Sequence, residues 1–350
     1  MATTDFPVNH PLAVKHWSKD LMKEALKKTY ALQFIGSGKD ALCTIKSETQ
    51  KNAGDRIRVG IRSQLSGGGV QGDDTLEGNE ESLETFYQDV VIDQLRHAVR
   101  SKGKMSEQRV PFSVREEARD GLADWWADRY DTWFFTQLCG DTTQADPRYN
   151  GFNTPVAPDA GHVTYHASGS TAEVSLSSTS VAKMNLTTID YAVEKAKLAK
   201  NAVRPIRING ADHWVMFLHP YQVTDLRIST ASGNWQDIQK AALSGGNASD
   251  NPLFTGALGM YNNVILHESV RIPASPTNTS ARRAVFAGAQ SLCMAFGREF
   301  GKGTYSWVEE MFDFKNQLGV AAGCQAGMIK TRFNGSDYGT VVVPTWAVAH

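Results

Sequence analysis

The sequence has few of the features that mark secreted and membrane proteins. Its 350 residues include four cysteines, which lie far apart and form no Cys-x-x-Cys pair. This spacing is typical of buried free thiols rather than of a disulfide framework. No apolar run approaches the roughly 20 residues that a membrane-spanning helix needs, and the first residues contain no signal-peptide core. We therefore expect a soluble protein made in a reducing cytoplasm, with no membrane partner.

The sequence also has almost no net charge. Lys and Arg number 36 and Asp and Glu number 37, which gives a formal charge of −1 and no overall attraction to nucleic acid. The composition is 41% hydrophobic and includes aromatic residues along the whole chain, which predicts a sizeable core. The length suits two ordinary domains or one elaborated domain.

Motifs that carry enzyme chemistry are absent or incomplete. The glycines of segment 67–72 match the spacing of a dinucleotide-binding loop, but the acidic segment 73–81 follows and would repel a pyrophosphate. The Gly-Ser-Gly-Lys stretch at 36–39 lacks the first glycine and the final Ser or Thr of a phosphate loop. No Gly-x-Ser-x-Gly elbow occurs. We therefore predict no catalytic residues and no cofactor.

Metal ligands are equally scarce. His162 and His166 are four residues apart, but a Gly- and Thr-rich loop or strand surrounds them and no third ligand is near, so we expect surface histidines. His213 and His219 flank an apolar stretch and are predicted to be polar residues at strand ends. Segment 73–81 lacks the spacing of a calcium loop, which leaves an ion site there as an alternative. We predict no metal site.

What the sequence does contain is a long amphipathic segment, residues 111–141. Its apolar residues recur every three or four positions and include three Trp and the pair Phe134 and Phe135, which predicts one helix with a buried aromatic face. Ser113 and Glu116 have the spacing of an N-terminal cap. About 25 residues at ~1.5 Å each make a rod of roughly 38 Å. Arg115, Arg119 and Arg129 are expected on its exposed face, available to support another element.

A long β-hairpin is predicted before this helix. Segment 55–65 alternates apolar and basic residues, the period of a strand, and segment 86–96 is rich in strand formers. Arms of about ten residues at ~3.3 Å each would project about 30 Å. A two-stranded ribbon of that length is marginal alone in water, so it must lie on its own chain or on a neighbour. The basic residues of its first strand are Arg56, Arg58 and Arg62.

The tip of this hairpin is glycine-rich and acidic, and neither Lys nor Arg occurs from Ser63 to Leu95. Six carboxylates without a cation would suit a basic surface on a neighbouring molecule. The acidic residues are Asp73, Asp74, Glu77, Glu80, Glu81 and Glu84.

The first 54 residues are predicted to form an arm that is helix-prone from residue 10 to 34. Lysines recur there every four residues and so share one helix face. The face is either solvated or a basic surface that meets an acidic partner. These lysines are Lys15, Lys19, Lys23 and Lys27.

The second half of the chain is predicted to hold an α/β unit, over residues 186–300, followed by a strand-dominated end over 305–348. The predicted helices are 187–200, 220–228 and 234–243, and the predicted strands are 213–218, 259–268 and 284–297.

The order of arm, hairpin, long helix, α/β unit and terminal strands resembles the major capsid proteins of tailed bacteriophages, which have the HK97-like fold. The likeness is sharpest in three strings of this sequence, and HPLAVKHWSKDLMKEAL near the start adds to it. It covers nearly the whole chain and points to a family of phage and prophage coat proteins. The three strings are GVQGDDTLEGNEESL, VVIDQLRHAVRSKGKMSEQRV and PFSVREEARDGLADWWADR.

The resemblance implies an α+β fold of four parts. Residues 1–54 would be the N-terminal arm and 55–110 the extended loop, or E-loop, made by the hairpin. Residues 111–189 and 301–350 would form the peripheral (P) domain, with 111–141 as its spine helix. Residues 190–300 would form the axial (A) domain, whose loops meet at capsomer centres.

The resemblance also implies a function and partners. The chain would self-assemble into pentamers and hexamers of an icosahedral head in the host bacterial cytoplasm. The head would enclose double-stranded DNA by non-specific contact, with scaffolding, portal and decoration proteins as further partners. The lysine-free hairpin departs from family members that cross-link neighbours through a hairpin lysine. An encapsulin-like compartment shell and, with less support, an α/β enzyme are the alternatives.

Overall fold

The computed structural model of the chain describes residues 29–47, 54–63, 65–109, 113–165, 170–179, 182–199, 201–208, 210–228, 257–297 and 305–350. The helices are α1 (Lys104–Gln108), α2 (Val114–Cys139), α3 (Pro147–Asn150), α4 (Leu186–Leu198) and α5 (Pro220–Ile228). The strands are β1 (Ile35–Gly36), β2 (Cys43–Lys46), β3 (Arg56–Arg62), β4 (Thr85–Val91), β5 (Asp93–Arg100), β6 (Ile206–Ile208), β7 (Ala211–Leu218), β8 (Gly259–Tyr261), β9 (Val264–Glu268), β10 (Ala281–Ala287), β11 (Leu292–Phe296), β12 (Ser306–Phe312), β13 (Gln317–Lys330), β14 (Arg332–Phe333), β15 (Ser336–Asp337) and β16 (Thr340–Trp346).

Helix α2 confirms the long helix predicted over 111–141. The Ser113 side chain accepts a hydrogen bond from the Glu116 N–H, and the helix ends at Gly140, whose φ of 62° is left-handed. The aromatic face is buried as predicted, with Trp126 and Trp133 at 0% exposure. The helix contributes to a core cluster that takes residues from both large sheets, so it holds the two sheets together.

The first sheet has six strands among the described residues, in the order β1-β2-β11-β13-β12, with β5 also paired to β13. Strand β13 is the longest, at 14 residues, and borders β5, β11 and β12. Trp307, Val320 and Cys324 lie in the same core cluster as the aromatic residues of α2. One face of this sheet therefore packs on α2.

The second sheet also has six strands in the described part of the chain, in the order β16-β10-β7-β9-β8, with β6 paired to β7. Strands β7 and β9 are parallel, whereas β7 and β10 are antiparallel. Apolar residues of α4 and α5 form a second core cluster with one face of this sheet, and Phe217 on the other face belongs to the α2 cluster. This layering confirms an α/β unit, although its sheet is mixed.

Several predicted elements have different limits in the structure. Helix α4 begins after Asn185, whose side chain caps Thr188, rather than at Thr187. The predicted strand 259–268 is two antiparallel strands, β8 and β9, because Asn262 and Asn263 have φ of 47° and 62° and turn the chain. The helix predicted over 234–243 lies outside the described residues.

The predicted strand 284–297 is also two strands, and they belong to different sheets. Strand β10 pairs with β16 in the second sheet, whereas β11 pairs with β13 in the first. The chain crosses between the sheets at residues 288–291. Gly288 permits this crossing, since an added Cβ would lie 2.1 Å from the Arg204 carbonyl oxygen.

Strand pairing joins three segments to strands that lie across the predicted domain limits. Strand β16, from segment 301–350, is an edge of the second sheet. Strand β5, from segment 55–110, pairs with β13 rather than extending the hairpin. Strand β2, from segment 1–54, pairs with β11. The described part of the predicted arm therefore belongs to the body of the protein, by which we mean α2 and the two large sheets.

The buried polar residues include one that the sequence placed at the surface. His162 is 1% exposed and its two ring nitrogens lie 3.4 Å from an Asp159 carboxylate oxygen and 3.1 Å from the Asn201 carbonyl. Two partners satisfy this imidazole in the interior, so the prediction of a surface histidine is wrong. All four cysteines are free and buried, as expected.

Candidate intersubunit surface

The predicted hairpin is present and is formed by β3 and β4. The two strands of seven residues are antiparallel, with register from Arg56 opposite Val91 to Arg62 opposite Thr85. They are shorter than the ten-residue arms expected, because the chain beyond Val91 turns into the first sheet. Ile57 and Val90 pack against β11 and hold the base of the hairpin on the body.

Four hydrogen bonds fix this base. Asn153 binds both backbone groups of Val91, accepting from its N–H at 3.0 Å and donating to its carbonyl at 3.1 Å. Gln88 donates to the Lys330 carbonyl and accepts from the Arg332 N–H, each at 2.8 Å. Side-chain amides that satisfy backbone groups in this way orient a ribbon that is marginal alone.

The outer half of the hairpin packs less closely on its own chain. A groove of about 450 Å³ separates its strands from the body, and a second groove of about 330 Å³ opens alongside. Arg62 and Glu84 line the larger groove together with Phe333 and Tyr338. The hairpin is therefore held at its base and projects beyond it.

The tip, residues 65–84, is exposed apart from the half-exposed Val70. Glu81 orders it by accepting hydrogen bonds from the backbone N–H groups of Ser66 at 2.9 Å and Gly67 at 2.7 Å. These donors stabilise the carboxylate and lower the pKa of Glu81. The other predicted acidic residues of the tip are all exposed: Asp73, Asp74, Glu77, Glu80 and Glu84.

Sequence reasoning missed the apolar part of this tip. Leu65, Leu76 and Leu83 are 57%, 62% and 56% exposed. Single exposed leucines are ordinary, but three on one projecting loop provide apolar contact area beside the carboxylates. The signal was in the sequence, where the leucines interrupt an otherwise polar stretch that needs no core residues.

The three predicted arginines of β3 differ in their surroundings. Arg58 forms two hydrogen bonds with Asp89 at 2.7 and 2.8 Å and lies 4.1 Å from the centre of the Tyr87 ring. The carboxylate raises the pKa of Arg58, and the guanidinium lowers that of Asp89. Arg56 and Arg62 are exposed. The charge of Arg58 is thus engaged within the hairpin, whereas Arg56 and Arg62 face solvent.

The lysine face predicted for the N-terminal arm is not part of the described chain. Lys15, Lys19, Lys23 and Lys27 lie outside the described residues. Among the residues that are described, no group of three His, Cys, Asp or Glu side chains could hold a metal ion, and no helix there is long and apolar enough to span a membrane.

Two arginines of the charged face of α2 are engaged by their own chain, contrary to expectation. Arg115 donates to Glu309 of β12 at 2.8 Å. Arg129 is 6% exposed and lies 3.8 Å from the centre of the Tyr149 ring. Both arginines are occupied by their own chain because β12 and α3 lie close beside the helix. These two arginines are therefore not available to a second hairpin, whereas Glu116, Asp124 and Asp128 of the same face are exposed.

A long helix packed on two sheets, with a hairpin that projects from the first sheet, defines a class of shell-forming protein, the HK97-like capsid proteins. The family model described as "Phage capsid protein" matches residues 5–349, so the chain belongs to this family.

Individual relatives agree. The major capsid protein of Pseudomonas phage KPP25 is 26% identical over an alignment 362 residues long, and the alignment covers 93% of each chain. The capsid of Ralstonia phage GP4 superimposes with a TM-score of 0.81 at 33% identity and covers 99% of both chains. The cyanophage Pam1 capsid shares the fold, with a TM-score of 0.74 at 18% identity over 93% of this chain and 94% of its own.

Proposed function

We propose that this protein, a major capsid protein of an icosahedral phage head, closes into pentamers and hexamers by laying its hairpin on a neighbouring subunit. Membership of the capsid family supports the phage head over the encapsulin-like and enzyme alternatives, because the match spans almost the whole chain. Identical subunits that contact each other through two different surfaces form a closed ring when the rotation from one subunit to the next closes on itself.

One observation carries the proposal of an intersubunit hairpin. The tip extends from a firmly bonded base, yet its carboxylates and its three leucines are exposed in the single chain. Apolar side chains on a projecting ribbon gain stability when a second surface covers them. A neighbouring subunit in a dense shell provides that surface.

The proposal includes further partners of the shell. Scaffolding, portal and decoration proteins and non-specifically held double-stranded DNA are the partners that the family resemblance implies. The lysines of segment 15–27 are proposed to meet an acidic neighbour surface; reversing their charge should then impair assembly, more strongly at low salt. Unchanged assembly would leave DNA or solvent as their partner.

We infer no catalytic role for this chain. The hairpin contains no lysine between Ser63 and Leu95, so the sequence does not support a covalent link to a neighbour through a hairpin lysine. We propose that the subunits adhere through several non-covalent contacts each.

The hairpin's role is tested by replacing residues 64–83 with Asn-Gly, a two-residue turn that closes β3 onto β4. We expect subunits that sediment as small species and unfold like the full chain, whereas the full chain forms rings or shells. Limited proteolysis gives a second readout, since the tip of the full chain should become resistant on assembly. Shells from the shortened chain in normal yield would contradict the proposal.

A further inference from the structure

The smaller groove, of about 330 Å³, lies between the hairpin and the first sheet and is lined by three cations. No Asp or Glu occurs among the described residues that line it. Cations that are gathered without a carboxylate repel one another, so an anion bound among them would stabilise the folded subunit. The three cations are Lys39, Lys46 and Arg204.

Three segments of the chain bring these cations together. Lys46 lies at the end of β2, Lys39 lies in the turn before it, and Arg204 lies between α4 and β6. Gln290 links the Arg204 segment to the turn. Its N–H donates to the Ala41 carbonyl at 2.8 Å, and its side-chain oxygen accepts from the Arg204 guanidinium at 3.3 Å. The cationic lining is therefore held by hydrogen bonds between segments distant in sequence.

The Gly-Ser-Gly-Lys stretch at 36–39 supplies one of the three cations. It leads from β1 into the turn before β2 rather than into a helix, so it does not form the phosphate loop of nucleotide-binding enzymes. Its lysine is nevertheless exposed and lines the groove. Because a lysine attracts phosphate as a point charge, Lys39 needs no phosphate loop to bind one.

A buried hydroxyl in the same wall has no partner. Thr44 is 8% exposed and lines the groove, and its Oγ1 makes no hydrogen bond within the described part of the chain. Cys43 belongs to the α2 core cluster, so alternation places Thr44 on the hairpin side of β2, about 7 Å from Lys46. An unpartnered buried donor is unfavourable, and rotation about χ1 can turn it toward an acceptor in the groove.

The rest of the wall is largely apolar. Val59 and Ile61 of β3 and Phe333 of β14 line the groove, and the Tyr338 ring lies 5.5 Å from that of Phe333. Small-molecule sites combine such walls with a few placed polar groups and have volumes of about 300–1,000 Å³. The groove is near the lower end of this range, which suits a small organic anion.

We propose that the smaller groove binds a phosphate monoester of about the size of a nucleoside monophosphate. The three cations surround the phosphate, the Thr44 hydroxyl donates to one of its oxygens, and the organic group lies on the apolar wall. A phosphate monoester carries nearly two negative charges and three acceptor oxygens at neutral pH, which matches three cations and a hydroxyl donor better than a carboxylate does. The inference does not depend on where the hairpin tip lies.

Isothermal titration calorimetry of the full chain tests the inference with three probes: adenosine 5′-monophosphate, inorganic phosphate and adenosine. We expect the monophosphate to bind more tightly than inorganic phosphate, because only the monophosphate also contacts the apolar wall. Adenosine, which lacks the anion, should give no measurable binding. Phosphate probes that bind no better than adenosine would overturn the inference.

The cations are tested by Lys39→Met with Lys46→Met, which should weaken binding of the monophosphate about tenfold or more. The matched control is Lys102→Met with Lys104→Met. These lysines are also exposed but do not line the groove, so the control should bind like the unaltered chain. Equal affinity in the two double variants would overturn the placement of the site.

Thr44→Val tests the hydroxyl and should weaken binding of the monophosphate several-fold. It should also raise the Tm of the ligand-free subunit, because it removes an unpartnered buried donor. Thr340→Val is the matched control, since the Thr340 hydroxyl is likewise buried and unpartnered within the described chain but does not line the groove. It should raise the Tm and leave the affinity unchanged. Full affinity in Thr44→Val would overturn the contact assigned to Thr44.

A competition experiment distinguishes a free ester from nucleic acid as the source of the phosphate. The competitor is a double-stranded DNA oligonucleotide without terminal phosphates, in which each phosphate is a singly charged diester between two sugars. We expect it not to displace the monophosphate. Displacement that disappears in Lys39→Met with Lys46→Met would assign the groove to nucleic acid and overturn the proposal of a monoester.

Discussion

At the scale of single residues, the most demanding feature is a buried ion pair at the end of α2. Arg283 of β10 donates two hydrogen bonds to Glu173, at 2.7 and 2.9 Å, and a third to the Gly140 carbonyl at 2.7 Å. Both side chains are less than a tenth exposed. The guanidinium thereby satisfies the helix C-terminus and joins the helix to the second sheet.

Replacing Arg283 with Met should destabilise the subunit by about 3–5 kcal/mol, because Glu173 would remain buried without its partner. Urea unfolding of the chain in dilute solution measures the loss. The double variant Arg283→Met with Glu173→Met should recover most of it, since neither charge is then buried. A loss below about 1 kcal/mol in the single variant would show that the pair is not coupled in this way.

His219 makes the stability of the subunit sensitive to acid. Its Nδ1 accepts a hydrogen bond from the Tyr221 N–H at the start of α5, and burial and the nearby Arg282 lower its pKa to about 4. The unfolded chain takes up this proton near pH 6.5. The stability that depends on neutral His219 is complete above about pH 6.5 and is lost as the pH falls through about 4.

We therefore expect His219→Asn to reduce the decrease in Tm between neutral pH and about pH 4. The Asn side chain can still accept the hydrogen bond from the Tyr221 N–H. Thermal unfolding of both proteins at the two pH values measures this difference. The same fall in both proteins would contradict the role assigned to His219.

At the scale of elements, α2 depends on packing rather than on intrinsic propensity. Gly121 is exposed, and an added Cβ there would meet no atom within 4 Å. Gly121→Ala should stabilise the subunit by about 0.5–1 kcal/mol, measured by urea unfolding. Gly151→Ala is the contrasting control, because its φ of 71° is left-handed and its Cβ would press on Met328. Destabilisation by Gly121→Ala would contradict the account of the helix.

Local patterns predicted the elements well. The cap at Ser113, the aromatic spacing of α2 and the alternation of β3 are signals within a few residues of each other, and each element lies where they indicate. The acidic tip was likewise predictable from composition. These features depend on short-range backbone preferences and on which side chains avoid water.

Pairings between distant segments could not be predicted in this way. The pairing of β16 with β10 and of β5 with β13 joins residues that are between 53 positions apart (Ala287 and Thr340) and 233 positions apart (Asp93 and Ala326), and one sequence does not reveal such pairings. The burial of Arg129 beside Tyr149 depends on where α3 returns to the helix.

At the scale of the whole molecule, the described chain consists of two sheets packed on α2, from which the β3–β4 hairpin projects. Helix α2 takes part in a core shared by both sheets, so the two sheets and the helix pack as one unit. The hairpin leaves this body at a base held by Asn153 and Gln88. Such a subunit suits a shell in which each copy extends one element over a neighbour and receives another in return.

The most direct test of this account is a cryo-electron microscopy map of particles assembled from the full chain. We predict closed icosahedral shells in which density for the tip, residues 65–84, lies on the body of an adjacent subunit. A map in which each tip contacts its own chain alone, or a sample that stays monomeric at high concentration, would contradict the account.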